Sequence, residues 1–127
     1  VGSQATPFEH RSFGEELQLC KRYCSVVAPI ADEAFTFGHN RTTTICVGVI
    51  RNHPVMRAVP TVAFSGATEF QVQHANGAIQ TTAMAAGELS TEGVTVIATV
   101  GSGLTAGQGA EIREHTLGAT VTIAAEL

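Results

Sequence analysis

The hydrophobic pattern of the chain changes from helical to strand-like near residue 24. Within residues 13–24 the apolar positions follow an i, i+4, i+7, i+11 spacing, which is that of one helix face, and they are Phe13, Leu17, Cys20 and Cys24. Ser12 and Glu15 have the spacing of a capping box. We predict a short helix over 13–24 that packs its apolar stripe onto the domain, so that both cysteines are core residues.

After residue 24 the chain consists of short runs rich in Val, Ile, Thr and Phe, each bounded by Gly, Pro, Asn or Ser, a pattern typical of strands. The predicted strands are 34–38, 42–50, 60–66, 69–75, 78–84, 93–100 and 119–127. The Asn76-Gly77 pair predicts a hairpin between 69–75 and 78–84. Residues 104–115 break the pattern, and we predict a polar turn and a single helical turn there. The regular spacing favours an all-β fold, an antiparallel β-sandwich of jelly-roll type with one short N-terminal helix.

The domain organisation follows from the same pattern. Residues 1–12 mix small, polar and proline residues without a period, which is typical of an arm or linker. Residues 13–127 are predicted to form a single β-sandwich domain that begins with the helix. A chain of 127 residues is long enough to bury a core of its own.

The composition of the chain limits the kinds of binding partner that we expect. Charged residues make up 14% of the chain, below the quarter or so that is usual, and a low-charge exterior suits a chain that buries surface against copies of itself. We therefore expect an oligomer. A net charge of −4 with scattered basic residues opposes nucleic-acid binding. No apolar run approaches the ~18 residues of a membrane helix, so no membrane insertion is expected.

The motifs for catalysis and for cofactor or metal binding are incomplete. The chain has a single aspartate, Asp32, and no G-x-S-x-G elbow for a serine triad. The glycine-rich residues 101–109 lack the third glycine of a dinucleotide fingerprint, since Ala106 stands there, and no phosphate-loop lysine follows. We interpret these glycines as turn residues with positive φ. Hence no catalytic residue, cofactor or metal ligand is predicted.

The three cysteines have no recognisable disulfide or zinc framework. Cys20, Cys24 and Cys46 are odd in number, and their spacing matches neither a stapled secreted domain nor a structural zinc site. We interpret them as reduced thiols of a chain made in a cytoplasm.

Two polar tips between predicted strands are the candidate binding residues. One carries His39, Asn40 and Arg41, and the other carries His74 and Asn76. Binding residues are often placed on loops that a rigid scaffold supports. Polar hairpin tips are also a general feature of β-sandwiches, so the pattern alone leaves both interpretations open.

Three blocks of the sequence resemble one known family. They are "TPFEHRSFGEELQLCKRYC" at 6–24, "HPVMRAVPTVAFSG" at 53–66, and "GLTAGQGAEI" at 103–112 with "ATVTIAAEL" at 119–127. Together they resemble the C-terminal domains of virion structural proteins of tailed bacteriophages, including tail-fibre and head-fibre proteins. One departure is Cys24, where the family often has an aromatic residue after Tyr23.

The resemblance implies a non-catalytic jelly-roll domain located in the virion and made in the host cytoplasm. It also implies a homotrimer, joined to other virion proteins through its N-terminal side. We expect a distal fibre knob that binds a host-surface receptor, a glycan or a protein, through His39, Asn40, Arg41, His74 and Asn76. The alternative is a capsid decoration or cement domain that stabilises the particle. A polysaccharide-degrading enzyme is the third hypothesis, which the scattered acidic residues disfavour.

Overall fold

The structure is a computed structural model that describes residues 12–27, 30, 32–52 and 54–125. The predicted arm, residues 1–12, lies outside these ranges except for Ser12. Within them, helix α1 (Phe13–Lys21) precedes nine strands: β1 (Cys24–Val27), β2 (Ala34–Asn40), β3 (Ile45–Arg51), β4 (Thr61–Phe64), β5 (Phe70–His74), β6 (Gly77–Leu89), β7 (Gly93–Val100), β8 (Gly109–Glu114) and β9 (Val121–Ala124).

Six of the strands close into an antiparallel barrel in the order β2-β3-β7-β6-β5-β8, and β8 pairs with β2 to complete the ring. The other three form a small sheet in the order β1-β9-β4. The β5–β6 pairing at His74 and Gly77 confirms the predicted hairpin. The all-β class with one short helix is confirmed as well. Where the sequence predicted a jelly-roll sandwich, the larger sheet is a closed barrel.

Strand β8 is the reason for this difference. We predicted a helical turn within 104–115, and that prediction is wrong, because residues 109–114 pair with β2 on one side and with β5 on the other. Ile112 is fully buried while Glu111 and Arg113 are half-buried on the outer face, an alternation that a strand requires. This strand bridges what would otherwise be two sheet edges.

The core fills the barrel and continues under the small sheet. Inside the barrel it contains Val72, Val94, Val96, Ala98 and Ile112, and the small sheet adds Val121 and Ile123. Phe70 stands at the junction, with its ring centroid 5.6 Å from that of Phe35 and 6.0 Å from that of Phe64, both edge-to-face. Aromatic pairs in this geometry add ~0.5–1.5 kcal/mol to the area they bury. The two sheets therefore share one core.

Helix α1 has the predicted start and a different end. Ser12 forms the full capping box with Glu15, as the spacing predicted. The helix ends at Lys21, three residues early, because Cys24 already pairs with Ala124 as the first residue of β1.

The apolar stripe of α1 does not enter the core. No helix residue is buried, Phe13 is 83% exposed, and Cys20 and Cys24 are exposed free thiols. The prediction that the stripe packs on the domain is wrong, because the chain joins the small sheet at Tyr23 before the stripe can reach it. The Tyr23 carbonyl accepts a hydrogen bond from Ala125 N at 2.7 Å, and Arg57 lies over the Tyr23 ring at 5.4 Å.

Candidate functional site

Different parts of the chain form the two ends of the barrel. Strand β3 begins at Ile45, opposite Thr99, and ends at Arg51, opposite Gly93. Near the Ile45 end lie the β2–β3 loop (41–44), the β5–β6 turn (75–76) and the β7–β8 loop (101–108), which we call together the loop end. Helix α1 lies at the Arg51 end, the helix end, where Arg57 N donates to Arg22 O at 3.0 Å. Seven strand residues at ~3.3 Å each separate the two ends by roughly 20 Å.

Two loops of the loop end are tied to each other by backbone hydrogen bonds. Leu104 N donates to Thr43 O at 3.1 Å, and Gly107 N donates to Asn40 O at 2.8 Å. Thr42 Oγ1 accepts from Ile45 N at 3.0 Å, which closes the β2–β3 loop as a Thr turn. The first two bonds join the β7–β8 loop to the β2–β3 connection, and the third fixes the shape of the β2–β3 loop itself.

The β7–β8 loop needs its glycines for backbone reasons. Gly103 has φ 102° and Gly107 has φ 83°, values that favour glycine. The prediction of positive φ is thus confirmed for Gly103 and Gly107, whereas Gly101 and Gly109 do not have it and Gly109 begins β8. Between them Leu104 is buried in the core, so the loop places an apolar side chain over the loop end of the barrel.

Three of the five predicted binding residues have exposed side chains at the loop end. His39 is the outward-facing residue before the end of β2, Arg41 lies in the β2–β3 loop, and Asn76 lies in the β5–β6 turn. These residues are far apart in sequence, but β2 and β5 are both neighbours of β8 in the barrel. The structure therefore brings these three residues to one end of the molecule.

The other two, Asn40 and His74, are not surface residues. Asn40 is fully buried and His74 is 7% exposed, because both occupy inward-facing positions of their strands. The prediction that these two residues lie on exposed loop tips is therefore wrong. Among the residues that the structure describes, Asn40 Oδ1 and Nδ2, His74 Nδ1 and Gln108 Oε1 are buried without a hydrogen-bond partner. Such atoms gain most from a bound water molecule or polar group.

A groove runs along the outer face of β8, and we call it the β8 groove. Its volume is about 480 Å³. It is lined by Phe37, Gly38, Gln73, His74, Gly109, Ala110 and Glu111. Sequence reasoning missed Phe37, Gln73 and Glu111. The alternation of residues 109–114 is a signal for a strand with Glu111 on its outer face, whereas its position beside Phe37 and Gln73 comes from the pairing of β8 with β2 and β5.

A second, larger groove lies at the helix end. Its volume is about 740 Å³, and it is lined by α1 and its flanks together with Pro54. Several large apolar side chains are exposed in residues 13–30 and 55–59: Phe13, Leu17, Leu19, Tyr23, Val26, Ile30, Val55 and Val59. Large exposed apolar side chains are common at interaction sites when they form one patch.

One buried thiol has a clearly shifted pKa. Burial raises the pKa of the Cys46 thiol from 9.0 to about 11, which makes it less reactive. Across residues 12–125, apart from the few positions left undescribed, no three His, Cys, Asp or Glu side chains are grouped closely enough to hold a metal ion. In the same part of the chain, no helix has the length and hydropathy to cross a bilayer.

The comparisons with known proteins do not extend this picture. No protein-family model, no curated protein and no solved structure matches the chain.

Proposed function

We propose that this chain is a virion structural domain of a tailed bacteriophage, and that its loop end binds a receptor on the host surface, most simply a glycan. In this proposal the domain has a binding role and no catalytic one. The homotrimer, the virion location and the kinship with jelly-roll fibre domains belong to the same proposal and come from the sequence resemblance. The shared core of barrel and small sheet is compatible with a compact knob.

The observation that carries the proposal is the separation of the two ends. The helix end, where the described chain begins, and the loop end lie at opposite ends of the barrel, roughly 20 Å apart along β3. A domain attached to a particle through its N-terminal side would thus present His39, Arg41 and Asn76 outward. Several copies on one particle add avidity, so that each contact can be weak.

A binding assay on whole cells tests this function. The purified chain is added to cells that the phage infects, with and without polysaccharide extracted from their surface as a competitor. We expect saturable binding that the polysaccharide competes away. Replacing Arg41 or Asn76 by Ala should lower the affinity at least about fivefold if they are contact residues.

The matched control is Arg51→Ala, which removes an exposed arginine at the helix end of β3. This variant should bind cells as the wild type does. If the wild-type chain, at its native oligomeric state, binds no more to susceptible cells than to resistant ones, the proposal is refuted.

The apolar helix end favours a second candidate function, a decoration or cement domain. Phe13, Leu17 and Val59 are 83%, 40% and 61% exposed, and such side chains would be buried between neighbouring virion subunits. Under this alternative, particles that lack the domain would still adsorb to cells but would lose infectivity faster on heating or osmotic shock. Particles that adsorb poorly and keep their heat stability would exclude it.

A further inference from the structure

The β8 groove is built around one row of outward-facing residues. Phe37 on β2 is the register partner of Glu111 on β8, and Glu111 is in turn the partner of Gln73 on β5. The next position toward the loop end is Gly109, whose register partner is His39. Because Gly109 has no side chain, a hollow lies beside this row on the side of the loop end, and the floor of the hollow is backbone.

Phe37 is unusual among the strand residues around this hollow. Its ring is 71% exposed in the middle of β2, where an outward position of a half-buried sheet is normally polar. Burial of its apolar area by a ligand would be favourable. The face of the ring carries partial negative charge, which attracts polarised C–H groups as well as cations.

The side chains that flank Phe37 are hydrogen-bonding groups. The carboxylate of Glu111 forms an ion pair with Arg113 through Oε1, and a carboxylate has acceptor sites on both oxygens. Gln73 donates from Nε2 to the His74 carbonyl oxygen at 3.2 Å. His74 also borders the groove, although its side chain lies at an inward-facing position of β5.

We propose that the β8 groove binds one pyranose ring of a glycan, with a C–H face of the sugar stacked on Phe37 and its hydroxyls bonded to Glu111 and Gln73. A pyranose has an apolar face of C–H groups and a rim of hydroxyls, which is the combination that this row matches. The proposal rests on the proposed function and names the subsite within it. The volume of about 480 Å³ lies within the ~300–1,000 Å³ usual for small-ligand sites.

Charge favours a neutral sugar over an ionic ligand. Glu111 and Arg113 compensate each other, so the row offers no net charge to attract a phosphate or an ammonium group. The position of the groove also fits the proposed receptor-binding function. His39 is exposed beside Gly109, and the β7–β8 loop leads directly into Gly109, so the groove is continuous with the loop end.

Gly109 permits a sharp test. A β-carbon at this position would meet nothing nearer than Gly38 O at 4.0 Å, and at Gly101 in the β7–β8 loop it would meet nothing within 4 Å. Gly109→Leu therefore adds a side chain at the hollow with room for its β-carbon, and Gly101→Leu adds the same side chain to the loop end outside the groove. Phe37→Ala removes the stacking ring, and Leu117→Ala is its control, since Leu117 is 81% exposed outside the groove.

The probes are an array of bacterial O-antigen and capsular polysaccharides and, in solution, free glucose, galactose and N-acetylglucosamine followed by amide NMR shifts. We expect the wild type to bind at least one polysaccharide, and hexose to shift the amides of residues 37–39, 73–74 and 109–111. Phe37→Ala and Gly109→Leu should each lower the affinity at least about fivefold, whereas both controls should bind normally.

The outcomes separate the two proposals. If the wild type binds polysaccharide but Phe37→Ala and Gly109→Leu bind equally well, the groove assignment fails while the proposed function stands. If Phe37→Ala changes the oligomeric mass measured by light scattering and leaves sugar binding intact, Phe37 belongs to an interface between copies, and the assignment also fails. If the wild type binds no polysaccharide and no hexose shifts its amides, the groove assignment and the glycan receptor fail together.

Discussion

Gly38 on β2 lies so close to the backbone of Val47 on β3 that a β-carbon at Gly38 would stand 1.8 Å from the Val47 carbonyl oxygen. A real β-carbon never approaches an oxygen so closely, so either the two strands separate or the side chain is absent. The glycine is therefore required by close packing of two backbones, since its own φ is not in the left-handed region.

Gly38→Ala is expected to lower the free energy of unfolding by about 3 kcal/mol or more, because the clash involves backbone that is fixed by the β2–β3 ladder. Urea denaturation followed by circular dichroism measures the change. The control is Gly109→Ala on the adjacent strand, where a β-carbon meets only Gly38 O at 4.0 Å, and its stability should stay within about 0.5 kcal/mol of wild type. Equal stabilities of the two variants would contradict the close approach.

Glu114 is a fully buried acid that organises the connection between β8 and β9. Its Oε1 accepts hydrogen bonds from Gly118 N and, at 3.0 Å, from Ala119 N, and Ala119 itself is 1% exposed. Glu114→Ala leaves Gly118 N without this acceptor and leaves Ala119 N with only the Thr116 carbonyl oxygen, at 3.1 Å, so we expect a loss of about 1–3 kcal/mol in the free energy of unfolding. Urea denaturation near neutral pH measures it.

Glu92→Ala is the matched control for Glu114, since Glu92 is an exposed acid in the β6–β7 turn. This variant should change stability by less than about 0.5 kcal/mol. A Glu114→Ala protein as stable as Glu92→Ala would mean that the buried carboxylate contributes nothing to the β8–β9 connection.

The features that could be predicted from the sequence depend on short-range contacts. The capping box of Ser12, the turn at Asn76-Gly77 and the positive φ of Gly103 are each decided within a few residues. Local chemistry is sufficient for such features, because a cap or a tight turn has nearly the same structure in any fold.

The features that could not be predicted depend on strand pairing over long distances. Strand β8 carries Glu111, Arg113 and Glu114 in six residues, a composition that argues against a strand unless its two neighbours are known. Barrel closure depends on β8, which pairs with β2 on one side and with β5 on the other. Phe37, Gln73 and Glu111 come from three strands, and only the register of β8 places them in one row.

The helix α1 should form and unfold almost independently of the barrel. None of its residues is buried, so burial in the core adds little to its stability, and the capping box is a direct local contribution. Ser12→Ala should destabilise the helix by ~1 kcal/mol without changing the midpoint of barrel unfolding. Hydrogen exchange of the amides in residues 15–21 measures the first effect, and urea denaturation measures the second. Ser12→Thr, which retains the hydroxyl that accepts from Glu15 N and donates to Glu15 Oε2, should change both far less, and a shift of the barrel midpoint in Ser12→Ala alone would show that the helix packs on the domain.

The thiols should differ in reactivity according to their burial. Cys20 and Cys24 are exposed and Cys46 is fully buried. A thiol reagent at about pH 8 should label the first two in the native protein and Cys46 only after denaturation. Rapid native labelling of Cys46 would contradict its place in the core.

Burial of Cys46 also makes the stability of the fold fall at alkaline pH. The folded-state pKa of this thiol is raised from 9.0 to about 11, so between these values the unfolded chain releases a proton that the folded chain retains. The stability that the buried neutral thiol contributes is complete below pH 9 and is lost as the pH rises through 11. The free energy of unfolding therefore falls by about 2 kcal/mol over that window. Cys46→Ala removes the titrating group, and its unfolding free energy should therefore fall less steeply over the same window in urea denaturation. Equal slopes for the variant and the wild type would show that the Cys46 thiolate is accommodated in the folded protein as well as in water.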